Sequence, residues 1–463
     1  MLFITQKQKI LKLKLPLYCG IICFVYKIFC LDLIAQPAPL PQAQSLELIA
    51  SSVRAKTPPL TIKLQPEAIS EQVLTKTLFV DAQAPAELEI SNPYYNQTLP
   101  DFSTLASAKK EIVLGATLPT GGAVSLIGQD ISYGMDLVFN QINQTGGLQG
   151  NLIKIKALDS ANEVMLAEKN IRDLTQATSF FLSVFGSEAV ASVLDLIKAN
   201  KIFMLFPSAG DAMFRKSELR NILHFRASIA DEISALISYA ATKLYRNKIG
   251  IFYEDSRWGE EGLQQAEAAL KKLGFKSLVS ASYPENTVEI TAAINKIADK
   301  SPNAVLCISH ARPTYNFIIQ ALKKGLKSCK FLGLGEVVPI QEILQKSRGI
   351  NLITSSVVPN PIKSEIPLVV RYRKEMAQFF ANKNMSQFFL EGYCAASILV
   401  DCLKQIPPPF TLKNLVARLE GFKKFDFEGL SLNFDPATRS LSTDVWINIG
   451  KDKLWPMFKR MSL

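Results

Sequence analysis

Residues 111–160 read EIVLGATLPTGGAVSLIGQDISYGMDLVFNQINQTGGLQGNLIKIKALDS. From Ile112 to Leu118 the chain is apolar, over a length that suits a buried strand. Pro119, Gly121 and Gly122 break that run. From Gln129 onward, Ile131, Met135, Val138 and Ile142 recur at helical spacing and form one apolar face. Gly146 and Gly147 stop the helix, because glycine accepts the left-handed C-terminal conformation without strain. Ile153 and Ile155 then alternate with Lys154 and Lys156, as in a strand, and the segment reaches the acid Asp159. Strand, glycine turn, helix and strand in this order make a βαβ unit, which opens a parallel α/β domain.

The alternation continues downstream. Ser160 and Glu163 have the spacing of a capping box, which predicts a helix through Leu174. Residues 180–185 read as a buried strand that ends at Gly186-Ser187-Glu188, with a helix to Ala199 after it. A strand over 202–206 runs into Pro207-Ser208-Ala209-Gly210-Asp211, and His224-Phe225-Arg226-Ala227-Ser228 precedes a helix from Asp231. A second series then begins. Strand 249–253 leads into Glu254-Asp255-Ser256-Arg257-Trp258-Gly259, strand 304–309 into His310-Ala311-Arg312-Pro313, and strand 331–334 into Gly335-Glu336. Long helices are expected near 368–382 and 390–406, and strands at 430–434 and 445–449.

Leu118-Pro119-Thr120-Gly121, Gly128, Gly134, Ile142-Asn143, Gly146-Gly147, Gly150 and Asp159 together resemble the opening pattern of one family. It is the type I periplasmic solute-binding proteins of ABC transporters, the branched-chain amino-acid and amide-binding group. Leu390-Glu391-Gly392-Tyr393 resembles the same family's "LEGY" helix opening, and the resemblance covers about residues 111–457. It implies an α/β fold of two doubly wound parallel-sheet lobes joined by crossover hinge segments. The first lobe is expected at 111–227 and 359–440, the second at 228–358 and 441–463. Crossings are expected near Arg226-Ala227-Ser228 and at Val357-Val358-Pro359. The function implied is capture of a small polar ligand (amino acid, amide or small carboxylate) between the lobes, and its delivery by a monomer to an ABC transporter permease. A regulatory or sensing protein on the same fold, such as a cell-wall synthase activator, is the alternative.

Ligands of open parallel sheets bind beyond the carboxyl ends of the strands, which makes the loops above candidates by position. Ser187 precedes a helix, where its hydroxyl and the free N–H groups could hold a carboxylate; capping that helix is its competing job. By resemblance it aligns with a serine that holds a ligand's α-carboxylate. Ser208, Ala209 and Gly210 form the next strand-end loop, with Gly210 where amino-acid binders carry a threonine. Trp258 matches an aromatic that closes over the ligand, with a place in the core as its competing role. Glu336 lies near the acid that pairs with a ligand ammonium, and His310 and Arg312 stand where relatives present another contact. Arg226 and Asp231 read better as an ion pair or cap at the crossover than as ligand contacts.

The chain has 463 residues, 48% hydrophobic and 20% charged, with a formal net charge of +11. Its lysines are spread out and no arginine-rich run interleaves with aromatics, so a nucleic-acid partner is not expected. Lys7, Lys9, Lys12 and Lys14 precede the apolar stretch 15–26, the layout of a secretory signal over residues 1–35 with Ala35 as a cleavage candidate. This places the protein in the periplasm; an uncleaved membrane tether is the rival reading. Residues 36–110 are punctuated by proline and read as an extension or a small module. Cys307, Cys329, Cys394 and Cys402 show no metal spacing, and a disulfide among them is left open. No GxSxG, HExxH or P-loop pattern occurs, so neither an enzyme nor a cofactor is expected.

Overall fold

The computed structural model describes residues 111–122, 124–350, 352–406 and 412–458. The signal segment expected at 1–35 and the extension at 36–110 lie outside the described residues.

In the first lobe, β1 (Glu111–Leu118), β2 (Leu152–Asp159), β3 (Phe180–Leu182), β4 (Phe203–Leu205) and β5 (Ile222–Leu223) form a parallel sheet in the order β2-β1-β3-β4-β5. Its helices are α1 (Ser125–Gln144), α2 (Val164–Leu174), α3 (Ser187–Ala191) and α4 (Leu194–Lys198). The second lobe holds β6 (Ile249–Asp255), β7 (Val279–Pro284), β8 (Ala304–Ile308), β9 (Lys330–Gly333) and β10 (Ile353–Ser356). These five pair in parallel in the order β10-β9-β8-β6-β7. Helices α5 (Ile229–Thr242), α6 (Arg257–Lys272), α7 (Thr291–Asp299), α8 (Ala311–Lys323) and α9 (Val338–Arg348) connect them. The chain continues through α10 (Pro367–Phe379), α11 (Gln387–Lys404) and α12 (Leu412–Glu420), then a hairpin of β11 (Phe425–Phe427) and β12 (Leu430–Leu432). Finally β13 (Val445–Asn448) and β14 (Met457–Phe458) extend the second sheet. They run antiparallel, β13 on β10 and β14 on β13, so that sheet is mixed at one edge.

The opening βαβ unit folds as its pattern predicts, and its glycines and polar residues have definite jobs. Asp159 Oδ1 accepts from the backbone N–H groups of Thr120 (2.8 Å), Gly121 (3.0 Å) and Ala161 (2.8 Å), which ties the β1 and β2 strand-end loops together. Asn143 spans from α1 to β2, donating to the Ile153 carbonyl (2.7 Å) and accepting from the Ile153 N–H (2.8 Å). α11 is buried nearly all round and lies against α1. A Cβ on Gly134 would stand 2.2 Å from the Phe389 carbonyl oxygen, and one on Gly392 2.1 Å from that of Ile131, so the two backbones meet glycine to glycine.

Two helix expectations are corrected. Ser160 and Glu163 do not form a capping box: α2 starts at Val164, its flanking Glu163 makes no side-chain cap, and the Ser160 hydroxyl accepts instead from Asn162. The Asp159 bond to the Ala161 N–H turns the chain there, with Ala161 and Asn162 in the left-handed region. The single helix expected up to Ala199 is broken into α3 and α4; the Ser192 hydroxyl bonds back to the Ala189 carbonyl (2.9 Å) at the break.

Candidate functional site between the two lobes

The carboxyl ends of β3 and β4 meet those of β6, β9 and β10 across one cleft, which the side chains themselves bridge. Arg226, just after β5, donates from Nη1 to Glu391 Oε1 on α11 (3.3 Å) and from Nη2 to Glu232 Oε1 on α5 (2.9 Å). Both carboxylates are buried. The Ser208 hydroxyl donates to Glu391 Oε1 (3.0 Å), and the Ser355 hydroxyl at the end of β10 to Glu232 Oε2 (2.6 Å). Burial disfavours the Arg226 charge, but Glu391 and Glu232 outweigh it and raise its pKa. Of the two roles the sequence offered for Arg226 and Asp231, ion pair or cap, the cap is made. Asp231 forms a capping box with Ser228, which starts α5.

At the rim, Arg257 in the first turn of α6 reaches two first-lobe acids, Glu188 in the first turn of α3 (2.5 Å) and the buried Asp211 in the loop after β4 (3.0 Å). Glu261 on the same helix accepts from the Ala212 N–H (2.9 Å). Burial pushes the Asp211 carboxyl up, opposed by hydrogen bonds from Ser187 and Arg257. Ser187 is the first residue of α3, and the residue before the helix is Gly186, so Ser187 is not the cap.

Behind the rim, the His310 ring stacks on Trp258 with centroids 5.4 Å apart and planes 9° apart. His310 Nδ1 lies 3.3 Å from Glu336 Oε2, and Nε2 lies 3.7 Å from Glu254 Oε2. Burial opposes a charge on His310. The hydrogen bond to Glu336 and the charges of Glu336, Glu254 and Glu285 outweigh it and raise its pKa to about 9.

A family model for periplasmic binding protein matches residues 111–448. This chain belongs to the periplasmic binding protein family. It is 22% identical over 320 residues to the Leu/Ile/Val-binding protein homolog 7 of Brucella abortus, an alignment over 65% of this chain and 79% of that one. A substrate-binding periplasmic protein from Ralstonia solanacearum shares the fold at a TM-score of 0.66 and 24% identity, over 75% of this chain and 100% of that one. A fatty acid ABC transporter substrate-binding protein from Thermomonospora curvata does so at 0.65 and 18%, over 73% and 88%. The two sheet-and-helix lobes are those of the type I fold.

Within this periplasmic binding protein, the expected residues occupy two groups. Ser187, Ser208 and Gly210 stand at first-lobe strand ends; the Gly210 carbonyl accepts from the Ile229 N–H (3.0 Å), and a Cβ there would meet Ile229 Cγ1 at 2.7 Å. A threonine at this position would therefore displace Ile229. Ala209 is buried in the first-lobe core cluster that includes Val190 and Phe214. Trp258, His310 and Glu336 form the second group, and Arg312 is exposed on the first turn of α8. Glu232, Gln387, Ser355, Arg257 and Asp211 were not singled out from the sequence as cleft residues. Glu391 had a signal in its four-residue motif, and Arg257 in its place beside Trp258. The others carry no local pattern. The four cysteines at 307, 329, 394 and 402 are buried free thiols, so no disulfide joins them. Burial pushes Cys329 and Cys402 up to about 12.

Proposed function

We propose that the protein captures a small polar solute (an amino acid, amide or small carboxylate) between its lobes outside the cytoplasm and delivers it, as a monomer, to an ABC transporter permease. The observation that carries this reading is the floor of the cleft, where Arg226 joins Glu391 of the first lobe to Glu232 of the second. Groups from both lobes converge there, so a ligand that contacts both favours the closed arrangement over the open one by its difference in affinity. The proposed lobes are 111–227 with 359–440, and 228–358 with 441–463; the grouping of β1–β5 in one sheet and of β6–β10 with β13 and β14 in another supports this division. Ser187, Ser208, the backbone of Ala209 and Gly210, Trp258, His310, Arg312 and Glu336 are the proposed ligand-facing positions. Binding rather than catalysis is the work such a cleft does. The names of relatives support solute capture, and they range from Leu/Ile/Val to fatty acid.

The test is a thermal-shift screen of the protein against amino acids, amides and small carboxylates, since a ligand that binds only the folded state raises the midpoint by mass action. A reproducible rise with one class supports capture. No rise with any of them at millimolar concentration shifts the reading to a regulatory or sensing protein on the same fold.

A further inference from the structure

Resting on the solute-capture reading, we infer that the cleft selects a ligand of net positive charge, a basic amino acid or a guanidinium compound, over an apolar zwitterion or a fatty carboxylate. At the floor, two buried carboxylates share one guanidinium: Glu391 and Glu232 both pair with Arg226, which leaves a surplus of negative charge. Burial raises the Glu232 carboxyl even with Arg226 and Ser355 beside it, and Glu391 adds to that rise. A second cation placed here relieves the repulsion between the two acids.

Gln387 points to the same conclusion independently. It is 6% exposed, and its Oε1 has no hydrogen-bond partner. Its Nε2 and Glu232 Oε2 converge on one spot, 3.2 and 3.7 Å from where a Cβ on Gly335 would stand. The amide Nε2, a donor, is the atom on the carboxylate side, so the acceptor left open is Oε1 of the same amide; an ammonium or guanidinium group that reaches Oε1 and the acids supplies donors and charge together. Arg226 Nε is also buried without a partner, so the ligand presents an acceptor too, as the carboxylate of a basic amino acid does. The side chains that meet here (Ser208, Arg226, Glu232, Ser355, Gln387 and Glu391) are all polar. An isobutyl or acyl chain among them strips water from these groups and replaces none of their hydrogen bonds.

Calorimetric titration of the full chain with L-arginine, agmatine, L-leucine and decanoate, each at two ionic strengths, tests this. Arginine or agmatine should bind at least about 10-fold more tightly than leucine, with affinity falling as salt rises. Glu391→Gln should weaken that binding at least about 10-fold while the circular-dichroism spectrum stays as in the parent. Should that variant fail to fold, the salt series on the parent decides: cation binding indifferent to salt overturns the inference. Leucine or decanoate binding as tightly as agmatine also overturns it, and leaves solute capture standing. No binding by any of the four overturns the inference, and solute capture then stands or falls on the thermal-shift screen.

Discussion

Arg257 Nη2 lies 3.0 Å from Asp211 Oδ2, and this contact joins the first turn of a second-lobe helix to a strand-end loop of the first lobe. The Arg257 side chain is 42% exposed whereas Asp211 is fully buried, so the charge that depends most on the contact is the acid. Opening the lobes would remove the partner that Asp211 has across the cleft. The pair acts as a clasp at the rim, while Arg226 holds the floor.

Arg257→Ala should loosen the closed arrangement. Losing a charge-assisted bond from a buried carboxylate costs about 1–3 kcal/mol, discounted here because the arginine is partly solvated. The dissociation rate of a bound solute should rise about 5- to 30-fold with little change in association. Stopped-flow displacement reads this directly, and an unchanged dissociation rate would remove Arg257 from the clasp.

Gly134→Ala and Gly392→Ala should each destabilise the first lobe. The added methyl would stand 2.2 and 2.1 Å from a backbone carbonyl oxygen, and backbone yields less easily than a side chain tip. Overpacking of this kind costs about 1–3 kcal/mol, with the upper end expected where two helix backbones are in contact. Urea denaturation should show a lower midpoint at constant slope; a parent-like midpoint would mean that α1 and α11 can move apart freely.

Asp159→Ala should free three loop N–H groups at once, those of Thr120, Gly121 and Ala161. The site is exposed enough for water to replace part of the loss, so the expected cost is about 1–2 kcal/mol. Amide exchange should accelerate in the loops after β1 and β2 and stay unchanged in α11. Uniform protection across these loops in the variant would contradict the clamp.

His310 should make stability depend on pH in a defined window. Its pKa is raised to about 9 against an ordinary 6.5, so the folded state binds the proton more tightly than the unfolded one. The contribution is therefore fully present below about pH 6.5 and is lost as pH rises through 9. Thermal midpoints of the parent and of His310→Gln, compared from neutral pH upward, should converge above that value. A gap that stays constant across the window would show that the imidazole is not charged beside Glu336.

Much of the fold was readable because its signals are local. Ile131, Met135 and Val138 bury one helix face, and the strand run at 112–118 forms β1 close to its expected bounds. The capping box at Ser160 failed because the N–H groups it needs are taken: that of Ser160 donates to the Leu118 carbonyl (2.9 Å) and that of Glu163 to the Ser160 carbonyl (2.7 Å). The break between α3 and α4 was likewise missed, since the diverting bond comes from the single Ser192 hydroxyl within an otherwise helical stretch.

The cleft was legible only in part. Trp258, His310 and Glu336 were expected in neighbouring second-lobe loops, but their stacking and pairing follow from β6, β8 and β9 lying in one sheet. Arg226 and Glu391 are separated by 165 residues, so no spacing rule connects them. By itself the sequence determined the alternation of strands and helices, the family, and which strand ends carry polar loops, since periodicity and glycine placement act within a few residues. Only the tertiary structure decided which carboxylate meets which arginine, because charges pair through distance in space, and that distance exists once both sheets have assembled.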